Sequence, residues 1–162
     1  MKHDQGLRRH LIELLRGGQA HLGFDDAVRD FPPTLQGAIP HGGPHSGWQL
    51  LEHLRIAQRD ILDFSHNEDG RYRELKWPAE YWPPTVQPPD EGAWEKSVKQ
   101  FREDTRAMEE LLQDNARDLY RPFPWGNGQT LLREALLLAD HNSYHIGQLV
   151  LLRRLLGAFP GR

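Results

Sequence analysis

His141 and His145 stand four residues apart in Asp140-His-Asn-Ser-Tyr-His-Ile-Gly-Gln148, inside an apolar run from Leu131 to Leu156. On a helix, positions four apart share a face. Two imidazoles so placed can ligate one metal ion, as paired histidines do in helix-borne zinc motifs. The alternative is a hydrogen-bonded pair at the edge of the core. Either way the pair needs partners, because burying it unpaired costs free energy. His41 and His45 have the same spacing. Gly42, Gly43 and Pro44 lie between them, which places that pair in a loop with no fixed shared face.

A catalytic tetrahedral metal site takes three protein ligands and leaves one position for water. If the last helix supplies two, the third comes from a neighbouring helix. His53 is the leading candidate, three residues after Leu50 and four before Ala57 in one apolar stripe. His10, beside Leu7 and Leu11, is the second choice. His3, His21 and His66 lie near a terminus or loops and read as solvated. His41 and His45 could approach from their loop. Glu52 and Glu134 could orient an imidazole from behind; the alternative is that both are solvated carboxylates. Tyr144 and Gln148, which flank the histidine pair, and Trp48 are the candidate substrate-pocket residues.

The chain has no cysteine, which excludes disulfides, thiolate metal sites and a cysteine nucleophile. The expected cofactor is therefore a divalent metal held by histidine and carboxylate. Imidazole suits zinc, nickel, iron and copper, with zinc or nickel the expected choice. No Ser-His-Asp arrangement has recognisable flanks, and Trp125-Gly-Asn-Gly128 is a turn rather than a phosphate-binding loop.

Four segments carry a helical period and must position these groups. The first is about 4–16, with Leu7, Leu11 and Leu14 on one side and Gly17-Gly18 as its stop. A short helical candidate at 24–31 ends at Pro32-Pro33, and the segment 37–47, rich in glycine and proline, is irregular. The second long helix, about 46–65, has Ser46 as N-cap with Gln49 completing a capping box. Its stripe is Leu50, Leu54, Ala57, Ile61 and Phe64. Prolines and aromatics fill 66–89, where a regular helix is prevented and the aromatics pin the connection to the helices. The third long helix, about 90–115, carries Trp94, Val98, Phe101, Thr105, Met108 and Leu112 along one seam. A turn at 122–128 leads to the fourth, from 129 or 130 to about 156. Strand signals are nearly absent, so the expected fold is an all-α four-helix bundle in one domain, 1–162.

Net charge is −3 with 27% charged residues and no basic stripe, which argues against nucleic-acid binding. No apolar run approaches membrane-spanning length, and the first residues lack a secretory signal. The expected location is the cytoplasm.

Two stretches carry a family resemblance: Trp48-Gln-Leu-Leu-Glu-His-Leu-Arg-Ile-Ala-Gln58, and Thr130-Leu-Leu-Arg-Glu-Ala-Leu-Leu-Leu-Ala-Asp140 running into the histidine pair. In these the chain resembles the DinB-like (DinB/YfiT) superfamily of metal-binding four-helix bundles over nearly its whole length. The resemblance implies an up-down-down-up bundle with a long second connection. It also implies a metal triad of one histidine from the second helix and two from the fourth, which maps onto His53, His141 and His145. Characterised relatives include thiol S-transferases and a thiol-dependent isomerase, so a small-molecule thiol or electrophile and metal-dependent thiol transfer are expected. The alternatives are a metal-dependent hydrolase and a non-enzymatic, stress-related bundle stapled by its metal through a fourth ligand. The resemblance further implies a homodimer. The loop 37–47 and the segment 77–82 are the expected walls around the electrophile, and activity is expected to rise with pH as the histidines lose protons.

Overall fold

The computed structural model describes residues 2–159, with the side chains from residue 4 onward; the expectation for His3 lies outside the described side chains. Among the described residues there are five α-helices and no strand. They are α1 (Lys2–Arg16), α2 (Phe24–Val28), α3 (Gly47–Ser65), α4 (Ala93–Gln113) and α5 (Leu131–Leu155). Short 3-10 turns occupy Pro33–Leu35 and Ala79–Tyr81, and one isolated bridge joins Pro122 to Thr130. No described helix is long and apolar enough to cross a membrane.

The helix ends follow local chemistry. The capping box at α3 forms in both directions: Ser46 Oγ accepts from the Gln49 backbone N–H at 3.2 Å, and Gln49 Oε1 accepts from the Ser46 N–H at 3.0 Å. Thr130 caps α5 in the same way through Arg133. The short α2 stops at Val28, earlier than the expected 31, because Asp30 takes a left-handed conformation with φ of 51° ahead of the prolines. Helix α4 starts at Ala93 because Asp90 spends its side chain on a turn, accepting from the Gly92 N–H.

The four long helices form a ring. Helix α3 packs on α4 and α5, and α1 closes the other side by packing on the same two. In α1 the inner row is Leu7, Leu11 and Leu15; Leu14, expected inside, is 55% exposed. The row advances by fours, which rotates Arg8 and Ile12 inward in place of Leu14.

The core has two apolar clusters. One gathers Leu50, Leu51 and Leu54 with Trp94, Phe101, Ile146 and Leu149. The other gathers Leu11, Ile61 and Leu62 with Met108, Leu112 and Leu138. Between them runs a buried polar belt. Gln58 Nε2 donates to the Phe101 carbonyl at 2.6 Å, while its Oε1 accepts from Asn142 Nδ2 at 2.8 Å and from the Thr105 hydroxyl at 3.3 Å. Asp104, also buried, accepts from Arg59 and Gln100.

Two buried arginines hold helix ends. Arg8 donates to the Leu112 and Asp114 carbonyls at the end of α4. Arg153 donates to the Ala27 carbonyl of α2 and the Ala158 carbonyl, with its guanidinium over the Phe31 and Phe159 rings. Helix C-termini leave carbonyls without intrahelical donors, and a guanidinium supplies several donors at once.

The connection 66–89 is pinned at several points. Tyr72 and Tyr81 hydroxyls donate to the two oxygens of Asp60 on α3, at 3.1 and 2.7 Å. Trp48 Nε1 donates to Thr85 Oγ1 at 3.1 Å, and Ser46 Oγ donates to the Val86 carbonyl. Gly47 is required at the start of α3, since a Cβ there would lie 2.8 Å from the Phe31 ring.

Replacing Gln58 with Leu strands the Asn142 amide, so stability is expected to fall by about 1–3 kcal/mol. Adding Asn142→Leu is expected to recover part of the loss. Urea denaturation of the two variants checks this, and a single variant as stable as wild type would remove the belt's role.

Candidate metal centre

His53 comes from the middle of α3, and His141 and His145 from successive turns of α5. The packing of α3 on α5 turns all three imidazoles toward one point. His53 Nε2 lies 3.1 Å from His145 Nε2 and 3.1 Å from His141 Nε2. Two nitrogens bound to one tetrahedral zinc are about 3.3–3.4 Å apart, given metal–nitrogen bonds of about 2.0–2.1 Å. The three side chains form a group that could hold one metal ion, and among the described residues no carboxylate or further histidine stands with them.

The tautomers support that fit. A backbone carbonyl can only accept, so the His53 Nδ1–H donates to the Tyr81 carbonyl, at 2.8 Å. The His145 Nδ1–H donates to Gln148 Oε1, also at 2.8 Å. Both Nε2 atoms then present lone pairs to the common point, where a cation relieves their mutual repulsion. Such outer bonds are the usual way a ligating imidazole is oriented. His141 Nδ1 is buried with no partner, so this imidazole is not fixed from behind.

Burial lowers the basicity of all three. The pKa of His141 falls to about 4 through burial and then the neighbouring His53. That of His145 also falls to about 4, through burial and then His141 and His53. His53 is lowered by burial, against the opposing pull of the Tyr81 carbonyl. His141 and His145 are therefore in their neutral, ligating form well below neutral pH. The expected rise of activity through histidine deprotonation is accordingly displaced below the ordinary imidazole range.

Aromatic rings close the site on one side. Trp82 stacks on His53 with ring centroids 4.0 Å apart and planes 2° from parallel, and His45 stacks on Trp82 at 4.1 Å. The glycine-rich loop thus reaches the site through His45, while His41 is exposed. Trp77 and Tyr144 flank the triad as largely exposed rings, 6.5 Å from His53 and 4.8 Å from His145 respectively.

Other sequence expectations are corrected. His10 is exposed and paired with Glu13 at 3.1 Å, away from the triad; its position turns it outward beside Arg9. Glu52 and Glu134 are neither orienting groups nor solvated. Glu52 is buried, accepting from Arg55 and Ser97, and Glu134 is buried against Arg133 at 2.7 Å. Orientation comes instead from a backbone carbonyl and an amide, which cost less to bury than a carboxylate. Trp48 is a core side chain, 4% exposed and bonded to Thr85, rather than a pocket wall. His21 and His66 are exposed, as expected. The roles of the Tyr81 carbonyl and the Trp82 ring had no sequence signal beyond the aromatic density around them.

Changing His53, His141 or His145 to Ala is expected to abolish most bound metal in protein purified without a histidine tag, while His10→Ala keeps it. Gln148→Leu is expected to weaken binding about 10- to 100-fold. Metal content by mass spectrometry and competition with a chelator measure both effects; full occupancy in His53→Ala would sink the triad.

The metal-free protein is expected to lose stability on acidification. Above pH 6.5 the triad histidines are neutral in both folded and unfolded chains. As pH falls from 6.5 toward about 4 the unfolded chain takes up protons that buried His141 and His145 refuse, which favours unfolding. Thermal melts across this window check the sign, and a melting temperature that rose on acidification would contradict it.

A family model described as the DinB superfamily matches residues 19–149, more than half of the chain. The matched span holds all three histidines, the whole of α3, and α5 as far as Leu149. No curated protein and no solved structure gives a match. With that match over most of its length and its histidine cluster inside the matched span, the chain belongs to the DinB superfamily.

Proposed function

We propose that this protein is a metal-dependent enzyme, and that its reaction is transfer of a small thiol to a small electrophile. The ring of long helices is read as the up-down-down-up bundle of the family. The observation that carries the proposal is the donor set: three imidazoles, with no fourth histidine, aspartate or glutamate among the described residues grouped with them. A metal stapling a bundle for structure alone is usually closed by four protein ligands, whereas a reactive one keeps a position for substrate.

A divalent ion held by neutral ligands keeps its full charge and lowers the pKa of a thiol or water placed beside it. The protein's part is positioning. His53 and His145 are held by Tyr81 and Gln148 so that, with His141, they would hold the ion through their Nε2 atoms. Trp82 shields one face of His53 from water. The thiol proton leaves to solvent, the sulfur bonds to the electrophilic carbon, and the leaving group departs with its bonding pair. The histidines are already neutral at pH 7, so the pH dependence of this step follows the thiol.

The assay pairs low-molecular-weight thiols with alkylating and acylating electrophiles, comparing wild type with His141→Ala. A thiol-dependent rate is expected in the wild type only, lost by at least about tenfold in the variant. Ester cleavage independent of thiol would move the assignment to hydrolysis. A metal that resists chelation, with no reaction of either kind, would return the site to a structural staple. The same reading includes a homodimer, with Leu136 and Leu137 exposed on α5 as apolar surface for a second copy; light scattering at the monomer mass would remove that part.

A further inference from the structure

One helical turn beyond His145, the glycine-rich loop stands off from α5 and leaves a cavity of about 260 Å³. Leu50, Leu152, Leu151 and Leu155 form its helical walls, and Pro40 and Pro44 its loop side. No lining residue carries a carboxylate, an ammonium or a guanidinium group. Two lining side chains link the cavity to the triad. His45 lines it and stacks on Trp82, which in turn stacks on His53. Gln148 lines it and holds His145.

Gln148 has two ends with different duties. Its Oε1 is engaged by the His145 Nδ1–H, which leaves the amide NH₂ as a donor with no protein acceptor among the described residues. A carbonyl oxygen accepting from that NH₂ would sit between triad and cavity. Its carbon would face the histidines, and its hydrocarbon substituent would have one apolar space to enter. Ligand sites commonly combine such an apolar pocket with one or two fixed polar groups.

We propose that this cavity binds the aliphatic tail of the electrophile, a carbonyl compound with an unbranched alkyl chain, and that Gln148 donates to its carbonyl oxygen. The inference rests on the reading of the triad as the reaction centre. It makes Gln148 a positioning residue for His145 and a binding residue for substrate at once.

The test is direct binding rather than turnover. Butanamide, hexanamide and octanamide are titrated calorimetrically into the full chain, metal-loaded and metal-free. Each methylene buried is worth about 0.8 kcal/mol, so affinity is expected to rise about fourfold per methylene until the cavity is filled. Leu151→Glu, a change at a half-exposed position away from the triad, is expected to flatten the series and keep the metal. Gln148→Glu still accepts from His145 but cannot donate, so it is expected to keep the metal and lose about tenfold in amide affinity. Affinity that does not vary with chain length in the wild type overturns the proposal, as does a Leu151→Glu variant that binds like wild type. If no amide binds and Leu151→Glu splits a dimer in light scattering, the leucine face belongs to a second copy and the proposal falls. A protein that holds no metal yet keeps the chain-length series loses the thiol-transfer reading and retains the cavity's selectivity.

Discussion

Three imidazole Nε2 atoms brought together from two packed helices are the constraint around which this molecule is arranged. The His53 and His145 Nε2 lone pairs face each other and repel unless a cation or proton stands between them. The surroundings commit them to that posture. A carbonyl from the long connection fixes His53, an amide one turn along α5 fixes His145, and an indole lies flat on His53. Burial keeps all three neutral at physiological pH. Each of these raises the cost of the empty arrangement and, by the same geometry, favours a bound metal.

That commitment explains the two irregular connections. Residues 66–89 do not merely join α3 to α4. Tyr81 gives its hydroxyl to Asp60 and its carbonyl to His53, so one residue ties the connection to α3 at points two turns apart. The loop 37–47 reaches the same place by stacking His45 on Trp82. Prolines make both segments stiff and deprive them of regular hydrogen bonding, and the side-chain bonds described here take its place. Helical bundles can be closed by short turns; here long connections form the walls of a site.

Much of this was legible in the sequence. The three-and-four spacing of apolar residues located every long helix, because burial of one face is what makes such a segment helical. The same spacing placed His53 inside a stripe and paired His141 with His145. Helix faces cannot show what lies behind a ligand. The orienting groups are a backbone carbonyl, which every residue has, and a glutamine amide, which the sequence suggested only for a pocket. Glu52 and Glu134 misled because their partners, Arg55 and Arg133, are near neighbours of a kind that surface helices commonly carry. Leu14 misled because a row of leucines three and four apart fits two adjacent helix faces equally well.

The buried polar belt poses a further question of design. Gln58, Thr105, Asp104 and Asn142 interrupt a core that leucines could have filled, and Asn142 neighbours His141 in the chain. Hydrogen bonds between polar groups in a core add little net stability but penalise any packing that breaks them. A slide of α5 along α3 by one turn would keep most leucine contacts and break the Asn142–Gln58 bond. Such a slide would also separate His53 from the histidines of α5. The Asn142–Gln58 bond and the triad therefore demand the same register between α3 and α5, and that bond favours it whether or not a metal is bound.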